Sequence, residues 1–155
     1  MKTRQTYKAT RSGFTLLEVL LVLAILGVIA ALVVPQLIGR LSGTKIDATK
    51  ISIKAIEAQL KVYSVDHEDT FPEGSGQETM LQYLTQPDEI KGRTIPPYLD
   101  IDAMQDPWGE YFYYEYPTQK TPNNGLKPAI WSAGPNKQNE QGQGDDITSW
   151  KKNNK

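Results

Sequence analysis

The chain has no cysteine and a single histidine among its 155 residues. Without a thiol it forms no disulfide, carries no lipid on cysteine and has no thiolate nucleophile. The separated Cys and His ligands of a closed zinc site are missing too. GxSxG, HExxH, a Walker-type GxxxxGK[ST] and GxGxxG are all absent, which removes the common signatures of acyl transfer, zinc hydrolysis and nucleotide binding. The lone His67 stands in Asp66-His67-Glu68-Asp69. Four consecutive side chains cannot converge on one centre without an irregular backbone, so this run reads as a solvated helix end. No enzyme is expected.

Acid is missing from the first 13 residues, MKTRQTYKATRSG, which carry Lys2, Arg4, Lys8 and Arg11. Charge is nearly missing from the next 25, Phe14 to Ile38, where Glu18 stands alone. At about 1.5 Å per residue such a helix exceeds the roughly 30 Å hydrocarbon layer. The basic flank should stay cytoplasmic and place the rest across the membrane. The run is too long for a secretory signal core, and no A-x-A site follows it. A carboxylate inside a membrane-length run is costly and marks a functional site by default.

Of 17 basic residues four lie in the leader, which leaves 13 against 18 acids. The exported part is mildly acidic, and no nucleic acid is expected as a partner.

Beyond Pro35, residues Ile46, Thr49, Ile53, Ile56, Leu60 and Tyr63 recur at spacings of three and four, which puts them on one helix face. The pattern predicts one nearly continuous helix from Phe14 to about Tyr63. Pro35, lacking an amide hydrogen, should kink or locally break it. Two linked helices fit the same pattern, with Gly39 and Gly43 as weak points. The fold class is α+β: a long N-terminal helix, membrane-spanning first and amphipathic later, packed against a small antiparallel sheet. The boundaries are a leader over 1–13, a membrane helix over 14–38, its amphipathic continuation over 39–66, and loops with a small sheet over 67–155.

Within the last segment, DHEDTFPEGSG is breaker-rich and ETMLQYLT predicts a short helix around Met80, Leu81 and Leu84. Residues 91–110 read as loop, with Pro96, Pro97 and Pro107 opposing regular structure. Strands are expected over Tyr111–Tyr116 and Pro128–Gly134, joined by a connection holding the turn dipeptide Asn124-Gly125. The aromatic residues of the first strand, with Trp108 and Trp131, form either a stacking surface or one face packed on the long helix, and packing is the expected reading. The tail is polar and glycine-bearing until Ile147 and Trp150, which could pin it to the domain. Adjacent Asp145 and Asp146, with Asn136 upstream, offer hard oxygen ligands for calcium. An ordinary acidic turn accounts for the same spacing.

Gly13-Phe14-Thr15-Leu16-Leu17-Glu18 after a short basic leader resembles the class III signal of type IV pilins and type II secretion pseudopilins. Asp106-Pro107-Trp108-Gly109 before a tyrosine-rich strand resembles a segment of the major pseudopilin family of type II secretion. Phe71-Pro72, Ser132-Ala133-Gly134, and Asp146-Ile147 with Trp150 extend that resemblance over nearly the full chain.

The resemblance implies a structural subunit of a periplasmic secretion pseudopilus that helps move folded proteins across the outer membrane. The alternative is a type IV pilin or pilin-like subunit for adhesion or DNA uptake. It implies processing between Gly13 and Phe14 by a membrane prepilin peptidase and methylation of the new Phe14 amine. Glu18 and Pro35 take the assembly positions. Implied partners are further copies of the chain, minor pseudopilins and the inner-membrane assembly platform. The implied location is the inner membrane, single-pass, with a cytoplasmic N-terminus and a periplasmic C-terminal domain. The implied cofactor is calcium, held by Asp145, Asp146, Asn136 and backbone carbonyls around Ser132 to Gly134. In the family an aspartate is usual where this chain has Asn136, and an amide brings no negative charge.

Overall fold

The computed structural model describes residues 13–122 and 125–151. The leader cations and Asn124 lie outside the described residues. The first element, α1, runs Leu16–Asp66, and Pro35 lies within it. Its missing amide removes one i to i−4 hydrogen bond. The helical turns continue on either side, so the expected local break is not seen.

The chain divides into two compact units at Arg40/Leu41. Among the described residues of the first unit, α1 is the whole of the regular structure. Leu and Ala favour the helix while the β-branched Ile and Val add apolar surface, leaving no polar face, and no residue in its most apolar 18-residue window is buried. Leu16, Leu20, Leu23, Leu26 and Leu37 are all exposed. An exposed surface this apolar calls for lipid or other protein around it.

The second unit has its own core. Along α1, Ile53, Ile56, Leu60 and Tyr63 are buried, as the spacing requires. Thr49 is buried in the same stripe, its hydroxyl donating to the Lys45 carbonyl at 2.8 Å. Against this face come Met80 and Leu84 from α2 (Gln77–Leu84), Met104, Phe112, Tyr114, Ile130 and Ile147.

The sheet is built from β1 (Gly74–Ser75), β4 (Tyr113–Tyr116), β5 (Ala129–Ser132) and β6 (Ile147–Thr148), in the order β1-β4-β5-β6. All three pairings are antiparallel, with Tyr114 opposite Ile130 and Ser132 opposite Ile147. Along β4 the pleat buries Tyr114 and leaves Tyr113 half-exposed. Buried Tyr114 donates its hydroxyl to the Pro72 carbonyl at 2.8 Å. Burial, followed by the neighbouring Tyr116 and Tyr63, pushes that phenol up, so it stays a donor.

The loop expected over residues 91–110 holds more structure than its prolines suggested. Strand β2 (Asp88–Ile90) and strand β3 (Arg93–Ile95) form a hairpin with Ile90 opposite Arg93. Lys91 and Gly92 between them both have positive φ, 50° and 76°, the backbone of a two-residue primed turn. A 3-10 turn over Ile101–Met104 then delivers Met104 to the core. Prolines 96 and 97 follow the hairpin rather than interrupt it.

His67 behaves as a structural residue. Its ring stacks on Tyr63 at 3.7 Å, with Nδ1 at 2.8 Å from the Tyr63 carbonyl and Nε2 at 2.8 Å from Asp88 Oδ2. Tyr98 donates its hydroxyl to Asp66 at 3.1 Å. The Asp88 contact ties the end of α1 to the hairpin, and the Tyr98 contact ties it to the segment that follows.

Candidate functional site

Two places carry unusual carboxylates. The first is the start of α1. Glu18 Oε2 accepts hydrogen bonds from the Thr15 amide at 3.0 Å and the Thr15 hydroxyl at 3.1 Å, while Thr15 Oγ1 accepts the Glu18 amide at 3.2 Å. Thr15-Leu16-Leu17-Glu18 is therefore a capping box, satisfying otherwise orphan donors of the first turn reciprocally. The T-x-x-E spacing is the sequence signature of this arrangement. The carboxylate remains exposed. Among the described residues its hydrogen-bond partners are neutral groups of Thr15. Gly13 and Phe14 precede the helix and are exposed.

The second place is the segment between β5 and β6. Its base is the Asp106-Pro107-Trp108-Gly109 turn. Buried Asp106 accepts the amides of Trp108 and Glu110 at 3.0 Å each through Oδ1. Its Oδ2 accepts the Ser132 hydroxyl at 2.5 Å. Ser132 Oγ in turn accepts the Gly134 amide at 3.0 Å. The motif thus holds the end of β5, where the loop departs. The Gly134 carbonyl accepts the Lys137 amide at 3.3 Å.

Across the loop, Asp146 Oδ2 accepts the amides of Glu140 at 3.1 Å and Gly142 at 2.7 Å. Asp145 Oδ2 accepts the Asn136 amide at 3.0 Å. Trp131 Nε1 donates to Asn139 Oδ1 at 2.9 Å, and the Trp131 and Trp150 rings meet edge to face. Ile147 is buried and Trp150 partly so, which pins the tail as their apolar character suggested.

Glu140, Asp145 and Asp146 each place one oxygen within 4.8 Å of the others. Of these, Glu140 carries no signal in the sequence, since four residues of polar loop separate it from the Asp145-Asp146 pair. Only the loop's folding makes them neighbours. Asp146 is 7% exposed, and its Oδ1 is buried without a hydrogen-bond partner among the described residues. Burial pushes its carboxyl up; amides from Gly142 and Glu140 oppose this, and the charges of Glu140 and Asp145 add to it. The ionised form is thus poorly accommodated by the protein alone. A donor set made only of hard oxygens, with a buried carboxylate oxygen lacking a partner, fits a calcium ion and has no soft ligand for zinc or copper.

A membrane-length apolar helix that begins at a capped carboxylate and continues into a small α+β domain defines a pilin-like, membrane-anchored subunit. The prokaryotic N-terminal methylation motif matches residues 8–34, and the family description "Type II secretion system (T2SS), protein G" matches residues 36–150. The chain belongs to the type II secretion system protein G family, the major pseudopilins, which are structural subunits of the secretion pseudopilus. Membership carries with it assembly within the secretion system and processing by a peptidase.

The chain is 38% identical over 112 residues to the type II secretion system core protein G of Pseudomonas aeruginosa, covering 72% of this chain and 78% of that one. It is 32% identical to the core protein G of Escherichia coli, covering 89% and 90%, and 33% identical to that of Aeromonas hydrophila, covering 92% and 94%. No solved structure matches it significantly. The match through the distal half favours the secretion family over the pilus alternative, since both share the N-terminal pattern.

Proposed function

We propose that this chain is the repeating subunit of a periplasmic filament, anchored in the inner membrane before assembly, which helps move folded proteins across the outer membrane. A prepilin peptidase removes residues 1–13, and the new Phe14 amine is methylated. The apolar part of α1 then leaves lipid and is buried among the helices of other copies. Minor pseudopilins, the inner-membrane assembly platform and a separate ATPase are the other components. This chain contributes polymer rather than catalysis. The observation carrying the reading is the apolar helix surface of the first unit, unburied throughout its most apolar window. Lipid surrounds it before assembly, and other copies surround it in the filament.

Within the filament, Glu18 of one subunit pairs with the Phe14 amine of a neighbour. Pro35, with Gly27 upstream, gives the helix a place to loosen as subunits pack. A filament density map with unbroken helix through Pro35 would exclude that loosening and leave the polymer role intact.

Calcium, held by the carboxylates of the loop between β5 and β6, supplies the positive charge that the disulfide-free tail needs to stay closed. Asp146 binds through its unpartnered Oδ1, and Asp106 and Ser132 hold the strand end from which the loop departs.

Processing is checked by intact mass of protein extracted from membranes of cells with an active secretion system. Residues 1–13 should be absent and one methyl group added. Assembled protein that retains Met1 through Gly13 would refute the proposal.

A further inference from the structure

We infer that Glu140 supplies the carboxylate that Asn136 cannot, and that Asn136 acts as the donor that aims it. This rests on the calcium reading of the loop. The Asn136 side chain is committed at both ends: Oδ1 accepts the Gln138 amide at 2.6 Å, and Nδ2 donates to Glu140 Oε2 at 3.4 Å. What Asn136 turns toward the acids is an NH2 group, which cannot ligate a cation. Its backbone amide meanwhile reaches Asp145 Oδ2.

Glu140 is fixed from two sides. Its Oε2 also accepts the Asp145 amide at 3.1 Å, and among the described residues no hydrogen bond reaches Oε1. The three carboxylates place one oxygen each within 4.8 Å, which is the width of a coordination shell at a Ca–O distance of about 2.4 Å. Negative charges at that separation repel unless a cation lies among them. The partnerless, buried Oδ1 of Asp146 points independently to a ligand.

Two further features preserve the arrangement. Gly144 has φ +49°, and a Cβ there would run into the Glu140 carboxylate, so glycine leaves the space that Glu140 fills. Lys137, the cation nearest in sequence, extends to Glu110 at 3.5 Å instead.

The test uses the full chain in detergent, stripped of metal by a chelator. Calcium affinity is measured by calorimetry, and bound waters are counted from terbium luminescence lifetimes in H2O and D2O. Glu140→Gln should weaken calcium about 100-fold, because affinity follows the ligand charge count, and should add one water to bound terbium. Asn136→Ala should cost about ten-fold, as a lost supporting contact does, with the water count unchanged. Asn136→Asp should not tighten binding, because it exchanges a donor to Glu140 for a second negative charge. The inference is overturned if Glu140→Gln matches the parent chain in affinity and water count, or if Asn136→Ala adds the water. Absence of calcium binding by the parent chain would instead sink the calcium reading itself.

Discussion

Replacing Glu18 with leucine should leave membrane insertion and leader removal intact and weaken subunit addition by at least about a hundred-fold. The size follows from the environment. An ion pair enclosed by packed subunits leaves the surviving charge uncompensated in low dielectric once its partner is removed, which is strongly destabilising. The Phe14 amine would be that stranded charge. Among the described residues Glu18 is bonded to Thr15, through neutral donors. This separates two roles. Thr15→Ala removes the cap, worth about 0.5–2 kcal/mol, but keeps the carboxylate, so assembly should fall much less. Quantifying sheared filaments against membrane-retained subunit gives the comparison. Wild-type filament levels from Glu18→Leu would remove the carboxylate from the assembly mechanism.

The second large effect concerns the tail. Calcium at a hundred times its dissociation constant should stabilise the chain by about 2.7 kcal/mol, on the order of 10 °C in melting temperature for a domain of this size. Asp146→Ala should abolish the increment entirely. It should also lower the metal-free melting temperature, because the Glu140 and Gly142 amides lose their shared acceptor, and the buried Gly142 donor left unpaired costs about 1–3 kcal/mol. Loss of order should then spread to β6, since Ile147 follows Asp146 directly and pairs with Ser132. Differential scanning fluorimetry in calcium and in chelator measures both quantities. A calcium increment that survives Asp146→Ala would place the ion elsewhere.

The long helix and the α+β class were legible because each rests on local periodicity. A run with a single charge and a 3–4 spacing of apolar residues are properties of neighbouring positions. The Thr15–Glu18 capping box was equally local. Residues 91–110 were harder, because prolines argued for loop while the primed turn at Lys91-Gly92 lacks the familiar Asn-Gly or Asp-Gly signal. The strand it begins, Arg93–Ile95, ends just before those prolines.

The loop acids divide along the same line. Asp145 and Asp146 are adjacent in sequence and stood out as a pair. The sequence alone thus determined that one segment must leave water, that one carboxylate in it needs a partner, and that a polar, cysteine-free tail needs closing by other means. Hydrophobic length, charge placement and composition suffice for each, since they are sums over contiguous residues. Only the tertiary structure decided that Asp106 holds Ser132 across 26 positions, that Glu140 rather than the Asn136 oxygen faces the acid pair, and that one oxygen of Asp146 is buried without a partner. Those outcomes depend on which distant groups share a small volume and on which donors are already taken, and chain folding fixes both.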